Sequence, residues 1–519
     1  MKIPVTLDKR EVFYLSILVL TFLSIYFLVF DAKMDTGGDN YEYLNYAKSI
    51  ATGHGYSSPY SSQYEPVNWY PPGYSTMLGL LMTVFGTNIL LFKLLNGFFL
   101  CASLVLFYFI IKKLTSNNLL AFAVNFYLIF NIGLLKFGYI IMSEIPYLFL
   151  TMLALFSLTH FDNLIKDKVW NKALIATIIS VALAYYFRGI GLSLVAAVGV
   201  YFLLQKEWKS LAVYTGGIVL IHLPYMIRNM VYGLNGRYTE ALLQVNPWKP
   251  ESEQVYSFAS FLDKLLSNFV WEILNVYPKM ILPIRQLRSI GETQMLILGA
   301  MFLLVSLTGI VLIKKKYRYL FLSFYLFNLL IVLLYHSGND FRYLIPLIPL
   351  MVFGFMNALN ELLNKVKAKQ QALAILIVIG GILMIPRMYE FHVMSKREHH
   401  EKFKTFIEMA NFIKSLGFSN ITVATRKPGI LHYYSGAYVH RYKFSPNSDE
   451  VMIDLVESNV DFVFFDALGY GSNYNYLLPA LREYKEHFRV IKRIDKPRGL
   501  LLQFNRMKVR KIMKKKGLL

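Results

Sequence analysis

The sequence predicts a polytopic α-helical membrane protein of about eleven spans, followed by a small α/β domain. Three observations lead there. Of the 519 residues, 55% are hydrophobic and only 17% are charged, where soluble domains hold roughly 25% charged residues. Apolar runs long enough to cross a bilayer recur as far as residue 385. Beyond that point the pattern changes to short strand-like runs alternating with amphipathic helical ones. The net charge of +22 would suit nucleic acid, but no nucleic-acid motif accompanies it. Its placement in short loops fits membrane topology instead.

The expected spans are 12–30, 89–111, 119–135, 143–158, 173–187, 190–204, 211–227, 295–313, 319–335, 343–359 and 372–385. The first follows "MKIPVTLDKR", a start like that of a signal peptide. Its apolar core is too long and no small-residue cleavage site follows, so it is expected to stay as a span. Arg188-Gly189 separates the fifth span from the sixth. Lys9 and Arg10, Lys112 and Lys113, Lys166 to Lys172, Lys206 and Lys209, Lys314 to Arg318, and Lys365 to Lys369 all fall on one side of this threading. The positive-inside rule then makes the N-terminus cytoplasmic and, with an odd number of spans, the C-terminus extracytoplasmic. The chain is thus expected in the inner or plasma membrane, in contact with membrane lipids. The single cysteine, Cys101, lies in an apolar run and allows no intrachain disulfide.

Two domains follow from this division. Residues 1–388 form the transmembrane domain, with a long first outer loop at 31–88, and residues 389–519 form the extracytoplasmic α/β domain. In the latter, "NITVAT", "VDFVFFD" and "GLLLQFN" read as strands, and 402–416, 449–458 and 476–487 as helices. Neither a glycine-rich phosphate loop nor a paired acid cluster points to catalysis there. The basic tail "RMKVRKIMKKKGLL" is expected to be a frayed, solvated end.

The first outer loop is the most informative segment. In "YEYLNYAKSIATG", Tyr43, Leu44, Ala47 and Ile50 are spaced for a helix lying along the membrane surface, stopped by Gly53 to Gly55. "NWYPPGYSTMLGLLMTVFG" then opens a second short apolar helix at a double proline. Two surface helices after one span make a lid, with Asp39 at its inner edge. An aspartate after the first span, Tyr41 two residues on, a helix ending in G-x-G and then "YPPGY" resemble the first outer loop of GT-C glycosyltransferases. The resemblance is to the branch of protein O-mannosyltransferases, lipid A aminoarabinose transferases and related bacterial enzymes. "MSEIPYLFL" (Met142 to Leu150), "AYYFRGIGLSL" (Ala184 to Leu194), "LPYMIRNMVYG" (Leu223 to Gly233) and "NDFRYLIPLIP" (Asn339 to Pro349) follow in family order. One departure stands out: the family's acid pair in this loop, Asp then Glu, is Asp39-Asn40 here, which weakens any two-carboxylate or metal-assisted scheme.

The resemblance implies a sugar donor carried on a polyprenyl phosphate and a lipid, glycan or protein acceptor. A phosphate leaving group needs no general acid, unlike the alkoxide of glycoside hydrolysis. It needs positive charge, while the acceptor hydroxyl needs a base. Asp39 is the expected base of an inverting transfer. The competing role for it is an N-cap of the helix near Tyr41, and Asp35 is its nearest rival. Glu144 is expected to hold the acceptor or a cation, and Arg188 and Arg342, at outer span ends, to clamp phosphate. Arg228, Lys93 and Tyr41 complete the expected substrate contacts. Arg228 could equally cap its helix, and His54 reads as a turn residue. No metal ligand set is evident, and a divalent cation is left open as a cofactor. The alternative functions are a lipid or glycan transporter or flippase, and an O-antigen-type glycan polymerase. The acids and arginines gather at span ends rather than at midmembrane, which favours interfacial chemistry over transport.

Overall fold

The structure is a computed structural model. It describes residues 8–160, 171–234, 257–284, 287, 289–335, 341–366, 371–417 and 420–519. Most of the expected basic loops at Lys166 to Lys172 and Lys365 to Lys369, residues 235–256 between the seventh and eighth expected spans, and Asn339-Asp340 lie outside the described residues.

Each expected span overlaps one or more helices, though the number that cross a membrane is not fixed by them. In chain order the helices are α1 (Lys9–Val29), α2 (Asn40–Ala51), α3 (Gly73–Phe85), α4 (Ile89–Thr115), α5 (Asn118–Ile129), α6 (Ile132–Tyr139), α7 (Glu144–His160), α8 (Lys172–Phe187), α9 (Leu192–Leu204) and α10 (Trp208–Val231). Then come α11 (Phe258–Asn268), α12 (Tyr277–Ile281), α13 (Glu292–Val311), α14 (Lys315–Leu334), α15 (Ile348–Lys365) and α16 (Gln371–Lys396). Among the described residues, six helices are long and apolar enough to cross a membrane by themselves. A seventh span is the pair α5–α6, bent by 63° at the break between them. The sequence predicts one straight span there. Asn131 explains the break: its side chain caps α6 at the Leu134 amide (3.2 Å) and donates to the Met280 carbonyl (2.8 Å). A capping side chain at that position ends one helix and starts the next. Helices α7, α8 and α9 are shorter, and α7 and α8 are mostly buried by their neighbours.

The two ends of the bundle differ in chemistry. At one end Lys112 pairs with the buried Glu11, Lys314 donates to Ser116 (2.8 Å), and Tyr317 donates to the Thr159 carbonyl (2.9 Å). The basic loops at the start of α1, the end of α4 and the start of α14 therefore come together, as alternate threading requires. The opposite end holds Asp39, Glu144, Arg188 and Arg342.

Helix α16 runs unbroken past the expected domain boundary at 388 and ends at Lys396. The α/β domain follows: α17 (Glu401–Ser415), β3 (Thr422–Ala424), α18 (Pro428–Ser435), β4 (Tyr438–His440), α19 (Ser448–Glu457), β5 (Phe462–Phe465), α20 (Leu478–Glu483), β6 (Phe488–Asp495), β7 (Arg498–Phe504) and α21 (Arg506–Lys515). A two-residue pair, β1 (Ser57–Ser58) and β2 (Glu65–Pro66), precedes them in the first loop. The five-stranded sheet has the order β4-β3-β5-β7-β6, with β3, β4 and β5 parallel and β7 antiparallel to both of its neighbours. Side chains alternate across it with the strand period of two. Val423, Phe462, Phe464 and Leu501 join the core that contains α17, α18 and the membrane helices. Ala424, Val463, Phe465 and Leu502 join a second core under α19, α20 and α21. The tail corrects the sequence reading. It is not frayed: α21 buries Val509 and Met513 completely, and Lys516 pairs with Asp449 (2.8 Å). Two apolar residues four apart fall on one helix face, and that face is covered.

Candidate active site

The lid is built by α2 and α3, which lie against each other after the first span. Gly73 opens α3 where a Cβ would come within 2.7 Å of the Phe187 ring and 2.8 Å of the Tyr186 carbonyl. Only glycine lets the second lid helix approach the end of α8 so closely. Arg228 fixes the loop between the lid helices from α10. It donates to the carbonyls of Tyr56 (2.6 Å) and Val67 (3.1 Å), with the rings of Tyr56, Tyr225 and Tyr232 within 6 Å of its guanidinium. Arg228 thus holds the lid, away from the acid cluster. Lys93 is also elsewhere: fully buried on α4, it donates to the carbonyls of Asp31 (2.7 Å) and Lys33 at the start of the loop.

Asp39 occupies the N-cap position of α2, but its side chain makes no capping hydrogen bond. It turns instead to Arg342, whose guanidinium lies 2.8 Å away at the start of the tenth span. Arg342 lies 3.9 Å from Glu144, and Glu144 in turn pairs with Arg188 at 2.7 Å. Arg188 also donates to Ser143 (3.2 Å), which hydrogen-bonds the Tyr43 hydroxyl (3.0 Å). Both guanidiniums lie over one ring, Tyr343, at 5.7 Å and 5.5 Å. Four segments far apart in the chain therefore supply a chain of alternating charges, Asp39–Arg342–Glu144–Arg188. Glu144 is fully buried, whereas the Asp39 side chain keeps 20% of its surface open. A group that must meet substrate needs that opening.

The electrostatics favour an ionised Asp39. Burial alone would raise its pKa, yet the Arg342 charge, hydrogen bonds from Tyr70 and Arg342, and the Lys427 charge together hold it below its ordinary value. Tyr70 belongs to the "YPPGY" stretch, where sequence reasoning saw only a helix start. Tyr41, by contrast, points away. Its hydroxyl meets that of Tyr434 (3.1 Å) and its ring meets Tyr433 at 5.3 Å. Residues two apart on a helix do not share a face. Asn40 is buried and accepts from the Ile141 amide (3.0 Å), so it stitches the loop to the start of the fourth span. The carboxylate that shares Arg342 with Asp39 is Glu144, brought by α7 rather than by the next residue in the chain.

Among the described residues, no group of three or more His, Cys, Asp or Glu comes together in a way that could hold a metal ion. The donor set around Asp39 and Glu144 is two carboxylates paired with two guanidiniums, and it does not fit a divalent cation.

Residues 69–232 match the family described as dolichyl-phosphate-mannose-protein mannosyltransferase. That stretch contains α3 to α10, hence Tyr70, Glu144 and Arg188 but not Asp39 or Arg342. No curated protein matches the chain by sequence. Among solved structures, the chain is similar to ArnT from Cupriavidus metallidurans bound to undecaprenyl phosphate, with TM-score 0.57 and 11% identity over 94% of this chain and 97% of that one. It is also similar to the Archaeoglobus fulgidus oligosaccharyltransferase in complex with zinc and sulfate, with TM-score 0.53 and 11% identity over 87% of this chain and 67% of that one. A third is the mycobacterial arabinofuranosyltransferase AftD, with TM-score 0.54 and 11% identity over 96% of this chain but only 40% of the larger protein. At such identities the likeness concerns the fold, and it spans both the bundle and the α/β domain. The chain has the GT-C fold of membrane glycosyltransferases.

Proposed function

We propose that this protein is an inverting glycosyltransferase that moves a sugar from a polyprenyl-phosphate donor to a hydroxyl acceptor at the extracytoplasmic face. The observation that supports this best is the turn of Asp39 away from its own helix cap and toward Arg342. A carboxylate that only capped α2 would accept from the α2 amides. This one faces an opening, is held ionised, and neighbours two fixed cations.

The chemistry follows from those positions. The acceptor oxygen attacks the anomeric carbon while its proton passes to the Asp39 carboxylate. The bond from that carbon to the phosphate oxygen breaks, and the electron pair leaves with the phosphate. Arg342 and Arg188 place positive charge where the leaving group gains negative charge, in a site that need not reorganise. Direct displacement inverts the anomeric centre. Glu144 is a positioning residue: it holds Arg188 and the Arg342 head group in register over Tyr343. Lys93 and Arg228 support the loop and its lid rather than the reacting groups.

The test is turnover. The purified protein is incubated with several undecaprenyl-phosphate sugars and mixed glycan acceptors, and release of undecaprenyl phosphate is followed. Release from at least one donor, abolished in Asp39→Asn, is expected. A protein that binds undecaprenyl phosphate but releases it from none of the donors would not be this enzyme.

A further inference from the structure

The α/β domain does not merely cap the bundle. Its three parallel strands, β4, β3 and β5, point their carboxyl ends toward the first-loop lid. Open α/β sheets bind ligands at such ends, beside the point where the strand order reverses. Here β3 starts between its parallel neighbours, and the segments leaving the three strands are Thr425-Arg426-Lys427, Arg441-Tyr442 and Asp466 to Tyr470.

Four cations gather at these ends. Arg426 and Lys427 lie over the Tyr470 ring at 5.0 Å and 4.9 Å, and Lys402 reaches within 3.5 Å of the position a side chain at Gly469 would occupy. Arg441 lies over the Trp69 ring of the lid at 5.7 Å and approaches Glu42 of α2 at 3.8 Å. Acids balance them only in part: Glu42 pairs with Arg441. Asp466 is fully buried at the end of β5, where burial pushes its carboxyl above the ordinary range. Glu42 is held by the Tyr60 hydroxyl. Among the described residues, Thr425 Oγ1, Arg441 Nε and Asp466 Oδ2 are buried without a hydrogen-bond partner. One such atom comes from each of the three strand ends. Unsatisfied buried polar groups are uncommon in native structures and ask for an explanation.

The crevice at these strand ends also lies beside the lid that carries Asp39. Lys427 is near enough to Asp39 for its charge to help keep that carboxyl ionised. Asn45 of α2 donates to the Gly429 carbonyl (2.9 Å), two residues beyond Lys427, and the Val439 amide donates to the Tyr60 carbonyl (3.0 Å). These bonds fix the strand ends against the lid.

We propose that this crevice is the acceptor site, and that it selects a glycan carrying a carboxylate or phosphate close to the hydroxyl that receives the sugar. The anion lies among Arg426, Lys427 and Arg441, and the Tyr470 and Trp69 rings offer flat faces for sugar rings. The proposal rests on the transferase reading above. It is distinct from the donor clamp, which is Arg342 and Arg188 on the membrane helices. A head-group surface is the rival use of the same cations, but Arg441 reaches Trp69 and Glu42 of the lid, and Arg426 is held in the domain by Ser472 (2.8 Å) and the Phe444 and Tyr470 rings.

The experiment measures binding, so it does not depend on turnover. Affinities of the detergent-purified full chain are compared for a hexuronate tetrasaccharide, a phosphate-bearing tetrasaccharide, and the neutral counterpart of each. Undecaprenyl phosphate binding is measured in parallel. At least one anionic form is expected to bind about tenfold or more tightly than its neutral counterpart. That preference should collapse in Arg426→Gln/Lys427→Gln, return in Lys427→Arg paired with native Arg426, and leave undecaprenyl phosphate affinity unchanged. Equal binding of both anionic forms and their neutral counterparts overturns the proposal, as does a preference that survives the double substitution. So does competition by phosphatidylglycerol vesicles against the anionic form, which would assign the cations to head groups. A protein that shows the preference yet releases no undecaprenyl phosphate would refute the transferase reading and keep the crevice.

Discussion

Asp39 is where the chemistry can be separated from the architecture. Asparagine keeps the size of aspartate, and the native side chain makes no cap bond to lose. Asp39→Asn should therefore keep the start of α2, lose the ion pair with Arg342 and some stability at neutral pH, and still fold, while transfer falls by about 100- to 10,000-fold, the usual range for a lost general base. Near-normal turnover would remove Asp39 from the mechanism. The acid limb of kcat/KM follows from the same environment. Arg342, Tyr70 and Lys427 favour the ionised carboxylate, so the limb lies below the ordinary carboxylate range. Activity should stay level as pH falls from about 7 to about 5. Tyr70→Phe removes one stabiliser of the ionised form, raises the pKa and moves that limb upward. A limb that does not move would mean that Tyr70 only packs. The linkage to stability has the matching sign: the depressed carboxyl stabilises the fold above its unfolded pKa, and this is lost as pH falls through the folded value. Arg342→Ala should weaken undecaprenyl phosphate binding by about 10- to 150-fold, as expected for one charge-assisted contact. Unchanged affinity would leave Arg342 as the partner of Asp39 alone. Sequence showed which acids and arginines sit at span ends, but not which way they point. Depth in the membrane is readable from hydropathy. Azimuth is not, and so Lys93, Arg228 and Tyr41 share the right level yet face other neighbours.

Helices were legible where their apolar stretches were long, and their breaks were legible only where glycine marked them. Arg188-Gly189 announced one break. Asn131 hid the other, because asparagine in an apolar run reads equally well as a buried polar residue. Of the strands, β3, β5 and β7 were visible as apolar runs. Strand β4 is three residues long, and β6 is an edge strand with mostly exposed side chains, so neither has the pattern of a buried strand. The contact between α13 and α15 makes a sharp test of helix packing. A Cβ on Gly309 would stand 1.7 Å from the Gly354 carbonyl oxygen, and one on Gly354 would stand 2.3 Å from that of Ser306. Backbone cannot yield as a side-chain tip can. Gly354→Val should therefore destabilise the bundle by about 1–3 kcal/mol or more, read as a lower unfolding temperature in detergent. An unchanged midpoint would mean that the two helices separate without loss.

At the scale of the molecule, the clustering of basic loops opposite the acid cluster gives the topology a direct test. In a Cys101→Ala background, a cysteine at exposed Val490 should react with an impermeant thiol reagent from outside the cell. One at exposed Lys315 should react only after permeabilisation. The reverse pattern would put the site on the cytoplasmic face and end the case for a lipid-carried donor. The division into bundle and α/β domain was readable from composition, but their union was not, since nothing in the first loop announces its distant partners. That union has a consequence in time. Asn45 meets Gly429 across 384 residues of chain, and Tyr41 meets Tyr434 across 393. During synthesis the lid emerges early and waits for nearly the whole remaining chain before its contacts arrive. A ribosome stalled near residue 400 would leave a bundle in the membrane with an unfinished lid, Tyr41 without Tyr434 and Asn45 without Gly429. Under the proposed function, the acceptor side of the site would be completed only when the last domain has folded, and a truncated product would lack it.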